Sequence, residues 1–401
     1  MKVLQVNCVY KKGSTGKIVS VIHNALQEAN IESVVCYGRG EKIPEKNVYK
    51  TCPEWYAKIQ NLFSRLTGLM YGGCFFSTNK LISIMKREKP DIVHLHCING
   101  YFVNIYRLVS WLKKSGIKTV LTLHAEFMYT ANCGHAVECE KWKTGCGKCS
   151  RYKKETKSLL FDRTHHSWKK MRKAFDGFSN LTVVSVSEWL MERAQQSPFL
   201  ADKKHCVVYN GVDTAVFQIC ETDDLRVGYG LKDEKVILHV TPSFSDNPNS
   251  LKGGYYVLKL AERMQNENVK LIVAGQYPAG LKVPSNVILL GRVSNQKDLA
   301  QLYSMADLTL LTCKRETFSM VCVESLCCGT PVVGFQAGAP EQISLPEYSK
   351  FVAYGDEQAL YATVKDFLSK DFSKQEIQKE AEKKYAKSAM TNGYVAVYKE
   401  Q

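Results

Sequence analysis

The chain has 401 residues, 45% of them hydrophobic and 23% charged. That balance excludes a disordered, collagen-like or multi-pass membrane protein and bounds the chain at two or three domains. The net charge is +15, and the whole excess lies in residues 1–210, which hold 33 Lys+Arg against 16 Asp+Glu, so an anionic surface or substrate is expected there.

Residues 2–9 read as a short apolar strand, too short and polar for a signal peptide. Gly13-Ser14-Thr15-Gly16 is a turn, and residues 17–30 have helical apolar spacing (Ile18, Val21, Ile22, Ala25, Leu26). Residues 31–37 form a second strand. Residues 54–71 again have helical spacing, through Trp55, Tyr56, Ile59, Leu62, Phe63, Leu66, Leu69 and Met70, with Lys58 and Arg65 between them. Two readings stay open for this stretch, a core helix and a helix lying in a membrane interface. Strands follow at 91–96, 118–124 and 182–185. The rhythm restarts with strands at 205–209, 235–240, 270–274, 287–290, 308–311 and 331–335, separated by helices near 255–264, 297–305 and 322–328. Residues 374–401 read as charged helices. Strand alternating with helix predicts parallel sheets covered on both faces. The expected fold is therefore α/β, with two Rossmann-like doubly wound domains, 1–204 and 205–387, facing across a cleft. A C-terminal helix at about 388–401 is expected to pack back on the first domain. Ligands of such sheets bind beyond the carboxyl ends of the strands.

No run of ~18 apolar residues is present, so no transmembrane helix is expected and a cytoplasmic location is. The fifteen cysteines are odd in number and scattered, and most read as reduced thiols.

The strongest chemical signal is Glu316-Thr317-Phe318-Ser319-Met320-Val321-Cys322-Val323-Glu324, between the strand at 308–311 and a helix that ends at Gly329-Thr330-Pro331. An anionic group at this helix N-terminus would meet backbone N–H groups of Phe318, Ser319 and Met320 and the helix dipole. Glu324 could accept from a ribose diol, and Glu316 from sugar hydroxyls.

The spacing of Glu316 and Glu324, the following Gly329-Thr330-Pro331-Val332-Val333 and the run Asn210-Gly211-Val212-Asp213 together resemble the family-4 retaining glycosyltransferases of the GT-B fold, over essentially the whole chain. The resemblance implies an NDP-sugar donor on the C-terminal domain, an acceptor on the N-terminal domain, and transfer with retention. Lys252, in Lys252-Gly253-Gly254, matches the family's diphosphate-binding lysine. Residues 242–251 carry no Arg where the family has one, which weakens the donor site or leaves the second charge to another residue. Arg292 resembles the loop near the nucleotide base. Gly13 and Gly16 resemble the glycine loop that closes over the donor. His124 sits where the family often has His-Asp, near the donor sugar. Glu126 is a candidate acceptor-side base, and Ser187 matches an S-x-S at a helix start, where a plain N-cap is the alternative. The implied site is thus His124, Glu316 and Lys252 for catalysis, with the same-face attack usually proposed for the family and no divalent metal.

Cys133, Cys139, Cys146 and Cys149 lie within ~17 residues and end in C-x-x-C, so a structural zinc is expected, with a disulfide or free thiols as alternatives. The stretch Cys139–Cys149 resembles an insert of polysaccharide-assembly transferases. The composite expectation is a peripheral-membrane enzyme at the inner face of the plasma membrane, moving a hexose to a glycan or lipid-linked acceptor in cell-surface polysaccharide synthesis. A GT-B nucleotide-sugar epimerase is the alternative enzyme. A basic zinc-containing nucleic-acid-binding protein is the alternative of another class, but no recognisable motif supports nucleic acid as a partner.

Overall fold

The computed structural model describes residues 1–400. The chain divides into two compact units, residues 1–209 with 391–400, and residues 210–390. The first contains a seven-stranded parallel sheet of β1 (Lys2–Asn7), β2 (Glu32–Tyr37), β3 (Val48–Lys50), β4 (Ile92–Leu95), β5 (Lys118–Leu123), β6 (Leu181–Ser185) and β7 (Lys204–Val207), in the order β3-β2-β1-β4-β5-β6-β7. The second contains β8 (Lys235–Ser243), β9 (Val269–Gln276), β10 (Val287–Gly291), β11 (Leu308–Leu311), β12 (Val332–Phe335) and β13 (Ser349–Val352), in the order β10-β9-β8-β11-β12-β13. Every pairing between these strands is parallel.

The central strands are buried almost throughout, as in β4 (IVHL) and β11 (LTLL). Parallel strands covered on both faces by crossover helices read as continuous apolar runs, which is why these segments were legible. The strand order of each sheet reverses once, at β1/β4 and at β8/β11. Loops after those strands open at the switch points where doubly wound sheets bind ligands.

Four expectations need correcting. The strand expected at 205–209 in the second domain is β7, paired with β6 in the first sheet, so the division falls after Tyr209 rather than at 204/205. The return crossing falls after Met390, inside the helix Lys387–Lys399. Gly13-Ser14-Thr15-Gly16 is the first turn of the helix Gly13–Glu28 rather than a free-standing turn. The apolar face of the helix Glu54–Thr67 is not in the core, since its buried side chains are Ala57 and Ser64.

The helix Lys387–Lys399 completes the first unit. Tyr394 and Tyr398 are buried against β4 and β5, where the Thr122 hydroxyl donates to Tyr394 Oη (3.2 Å) and the Tyr398 hydroxyl lies 2.6 Å from His94 Nδ1. Among the described residues no helix is long and apolar enough to cross a membrane. All fifteen cysteines are free thiols.

Candidate functional site

In the second unit, a small pocket opens between the ends of β8 and β11. His239, Lys252, Glu316, Ser319 and Val321 line it. The Lys252 ammonium donates to Glu316 Oε1 at 2.7 Å, with the two side chains 38% and 24% exposed. Burial opposes the charge on Lys252, but the Glu316 carboxylate outweighs it and raises the lysine pKa. Both partners are held from behind by backbone. Gly253 has φ +70°, and a Cβ there would lie 1.9 Å from the Thr312 carbonyl oxygen, so only glycine lets the Lys252 loop pack on the loop after β11. Glu316 N–H donates to Ala337 O, and Ala339 N–H donates to Glu316 O. Glu341 pins that second loop by accepting from the N–H groups of Ala337 and Gly338.

Ser319 caps the helix Met320–Cys327, its Oγ accepting from Cys322 N–H at 3.3 Å. Its backbone has φ +81°, a left-handed conformation that costs a non-glycine residue energy and recurs at ligand sites. The helix N-terminus therefore opens beside the Lys252–Glu316 pair. Phe318 is 3% exposed, so its side chain is packed inside rather than offered to a ligand. Glu324 is about one turn into the helix, and its Oε2 accepts from the fully buried Tyr303 hydroxyl at 3.1 Å. The two carboxylates of the motif thus have different partners. Arg292 is exposed beyond β10, two strands from β8, and is not among the residues of this pocket.

His239 is a site residue that the sequence did not single out. Its Nδ1–H donates to Leu310 O at 2.9 Å, so Nε2 is the acceptor nitrogen of a neutral ring. That buried Nε2 has no hydrogen-bond partner among the described residues. Burial pushes the His239 pKa down to about 4. A neutral imidazole acceptor beside an ammonium and a carboxylate suits a hydroxyl-rich anionic ligand.

In the first unit, the loops after β1 and β4 are tied across the switch point by Asn7. Its Nδ2 donates to Val9 O (2.7 Å), and its Oδ1 accepts from Cys97 N–H (3.0 Å). Gly16 is packed against the same loop, since a Cβ there would come within 3.3 Å of Val9 O. Gly13 has φ +65° and nothing within reach of an added Cβ, so its glycine is required by backbone conformation alone. His124 follows β5 directly, and its Nε2 lies 3.2 Å from His96 Nδ1. His96 Nε2 in turn lies 3.2 Å from Gln5 Oε1. Burial pushes the His124 pKa down to about 4.

Two acceptor-side expectations are corrected. Glu126 is fully buried, its Oε2 accepting from the Tyr129 hydroxyl at 2.6 Å and facing Arg193 Nη2 at 3.4 Å. It is an internal anchor for the segment that follows, with no exposed surface from which to act as a base. Ser187 is fully buried and caps the helix Glu188–Ala194, its Oγ accepting from Leu190 N–H.

Cys133, Cys139, Cys146 and Cys149 lie in the segment between β5 and β6. Among the described residues no group of three or more His, Cys, Asp or Glu side chains is placed to hold a metal. Their segment is organised by hydrogen bonds instead. Trp142 Nε1 donates to Cys139 O, Trp168 Nε1 to Trp142 O and Arg151 to Ala136 O. Burial raises the thiol pKa of Cys133, Cys146 and Cys149.

Residues 16–216 match the family model for glycosyltransferase family 4, and residues 230–385 match that for glycosyl transferases group 1. Among curated relatives, the putative colanic acid biosynthesis glycosyl transferase WcaC of Escherichia coli (strain K12) is 21% identical over 357 residues, covering 86% of this chain and 85% of its own. The N-acetyl-alpha-D-glucosaminyl L-malate synthase of Bacillus anthracis is 24% identical over 290 residues, covering 69% and 65%. Among solved structures, Anabaena HepE in complex with UDP superposes with a TM-score of 0.68 at 15% identity, over 99% of both chains. At that identity the likeness shows the fold alone, the two-domain α/β GT-B architecture.

Proposed function

Because the chain belongs to glycosyltransferase family 4, we propose that it moves a hexose from a nucleoside diphosphate sugar to a saccharide or lipid-linked acceptor, with retention of configuration, in cell-surface polysaccharide synthesis. The observation that carries this reading is the Lys252–Glu316 pair beside the helix N-terminus at Ser319, with neutral His239 in the same pocket. Departure of a nucleoside diphosphate leaves negative charge on its terminal phosphate. A helix N-terminus and an ammonium stabilise that charge as it develops. Lys252 shifts from Glu316 to the diphosphate, and the released Glu316 accepts from donor-sugar hydroxyls. Glu324 receives the ribose diol. The Lys252 ammonium and the helix N-terminus supply the countercharge, so the proposed chemistry needs no divalent metal. The acceptor hydroxyl attacks on the face the diphosphate leaves, and its proton passes to the departing phosphate oxygen. Attack on the leaving face needs no nucleophilic carboxylate of the enzyme. The WcaC name and the UDP in the HepE structure support a polysaccharide setting and a nucleotide donor. The proposed place of work is the cytoplasmic face of the membrane.

A thermal-shift screen with UDP, GDP, ADP, TDP and CDP sugars tests the donor site, since a ligand of the folded state raises the melting temperature. One nucleotide class should raise it, and Glu324→Ala should lose the effect. No shift with any of them would overturn the donor reading. Turnover of the donor to an epimer without acceptor would replace transfer by epimerisation.

A further inference from the structure

The helix Glu54–Thr67 presents its apolar face outward. The side chains it buries are small or polar, Ala57 and Ser64. The opposite face carries Trp55, Ile59, Leu62, Phe63 and Leu66, each 44–64% exposed. Those positions share one side of a helix. The next helix, Phe75–Glu88, adds Phe75 and Phe76, the latter 78% exposed with its ring 6.0 Å from that of Tyr56. Exposed Leu159, Leu160 and Phe161 extend the patch at the far end of the first helix, where Leu159 N–H donates to Arg65 O at 2.8 Å. Ten of the thirteen large apolar side chains exposed among the described residues lie in this patch. Single exposed apolar residues are ordinary, whereas a contiguous patch marks a surface that something covers.

The charge around it says what does. Residues 55–87 contain no Asp or Glu, but do contain Lys58, Arg65, Lys80, Lys86 and Arg87. Residues 141–173 hold twelve Lys+Arg against Glu155 and Asp162 alone. Glu155 is engaged by Arg151, and Asp162 by Thr164 and Cys149 N–H. Arg163 lies over the Phe161 ring, 5.8 Å from its centre. A second copy of the chain would bring two such basic rims together, at an electrostatic cost. A bilayer with anionic head groups takes the apolar side chains among its acyl chains and pairs the rim with phosphate.

We propose that this face docks the protein on an anionic lipid bilayer. The proposal deepens the reading of a lipid-linked acceptor by naming the surface that reaches it. Vesicle co-sedimentation without donor sugar tests it independently of any transfer assay. The protein should bind equimolar phosphatidylglycerol–phosphatidylcholine vesicles, less so in high salt, and bind phosphatidylcholine alone weakly. The double variant Leu62→Gln with Phe76→Ser should lose about tenfold or more in partitioning. Both positions are exposed, so its melting temperature should hold. Lys58→Glu with Arg65→Glu should lose several-fold, and Val227→Ser, exposed in the other unit, should lose nothing. Absence of wild-type binding to the anionic vesicles would overturn the proposal, as would equal binding by the double variant. A wild-type dimer in light scattering that the double variant converts to monomer would assign the face to a second copy instead.

Discussion

His96 Nδ1 lies 3.2 Å from His124 Nε2, and contacts further back decide which ring owns the proton. Gln5 Nε2 donates to Val19 O, so Gln5 Oε1 is the atom facing His96 Nε2. An amide oxygen only accepts, so His96 carries its proton on Nε2. Burial keeps His96 neutral, which makes its Nδ1 an acceptor and His124 Nε2–H the donor. His124 Nδ1 is then the acceptor nitrogen of its ring. Nitrogen-15 NMR should show His124 unprotonated at Nδ1 at neutral pH. Gln5→Leu should mix the two His124 tautomers and lower kcat several-fold with the donor KM unchanged. An unaltered His124 spectrum in Gln5→Leu would remove the relay.

Lys252→Met should weaken nucleoside diphosphate binding by about 10- to 100-fold, the range of one lost charge-assisted hydrogen bond. Glu316→Ala frees Lys252 and should leave the bare nucleoside diphosphate bound while transfer falls. Calorimetry with the nucleotide and a transfer assay separate the two. Equal loss of nucleotide affinity in both variants would refute the division of labour.

Tyr303→Phe removes the hydroxyl that orients Glu324 in a fully buried position. It should cost about 1 kcal/mol in urea unfolding and raise the donor KM a few-fold. A variant as stable as the wild type with unchanged KM would show that Glu324 does not depend on this contact.

Acid should destabilise the protein between pH 6.5 and about 4. His239 titrates near 6.5 when unfolded and is pushed down to about 4 when folded. In that window the unfolded chain binds the extra proton, so stability is complete above pH 6.5, falls with the pH and levels off below about 4. His239 alone accounts for on the order of 3 kcal/mol of that loss, and His124 acts in the same direction. Urea midpoints measured across this range check it, and His239→Phe should flatten the curve. A wild-type midpoint that does not move would contradict neutral buried rings.

Gly253→Ala should be nearly intolerable, because the clash at 1.9 Å is with the Thr312 carbonyl and φ is +70°. Loss of soluble expression or a melting temperature lower by many degrees is expected, and a normal melting curve would contradict it.

What the sequence disclosed follows from physical locality. Buried parallel strands announced themselves as apolar runs, and the motif from Glu316 to Glu324 fell where a strand meets a helix. A run does not say which sheet it joins, so β7 was assigned to the wrong half. The three-residue edge strand β3 and short β13 carried too little pattern to be seen. Glu126 looked available because Arg193, which faces its carboxylate, is 67 residues away. Four cysteines at suggestive spacing did not fix whether their sulfurs converge. Periodicity gave the helix Glu54–Thr67 an apolar face without saying that it points to solvent. His239 became visible only when Leu310 O was found on its other nitrogen.

The hydroxyl of Tyr398 rests on His94, in the fourth strand of a sheet whose first strand begins at residue 2. A ribosome therefore releases the first unit unfinished. The floor beneath its histidines arrives only after the whole second unit has been synthesised. Folding of that half therefore waits for the second unit to be made, and a nick within the helix Lys387–Lys399 is felt in the sheet that begins with β1.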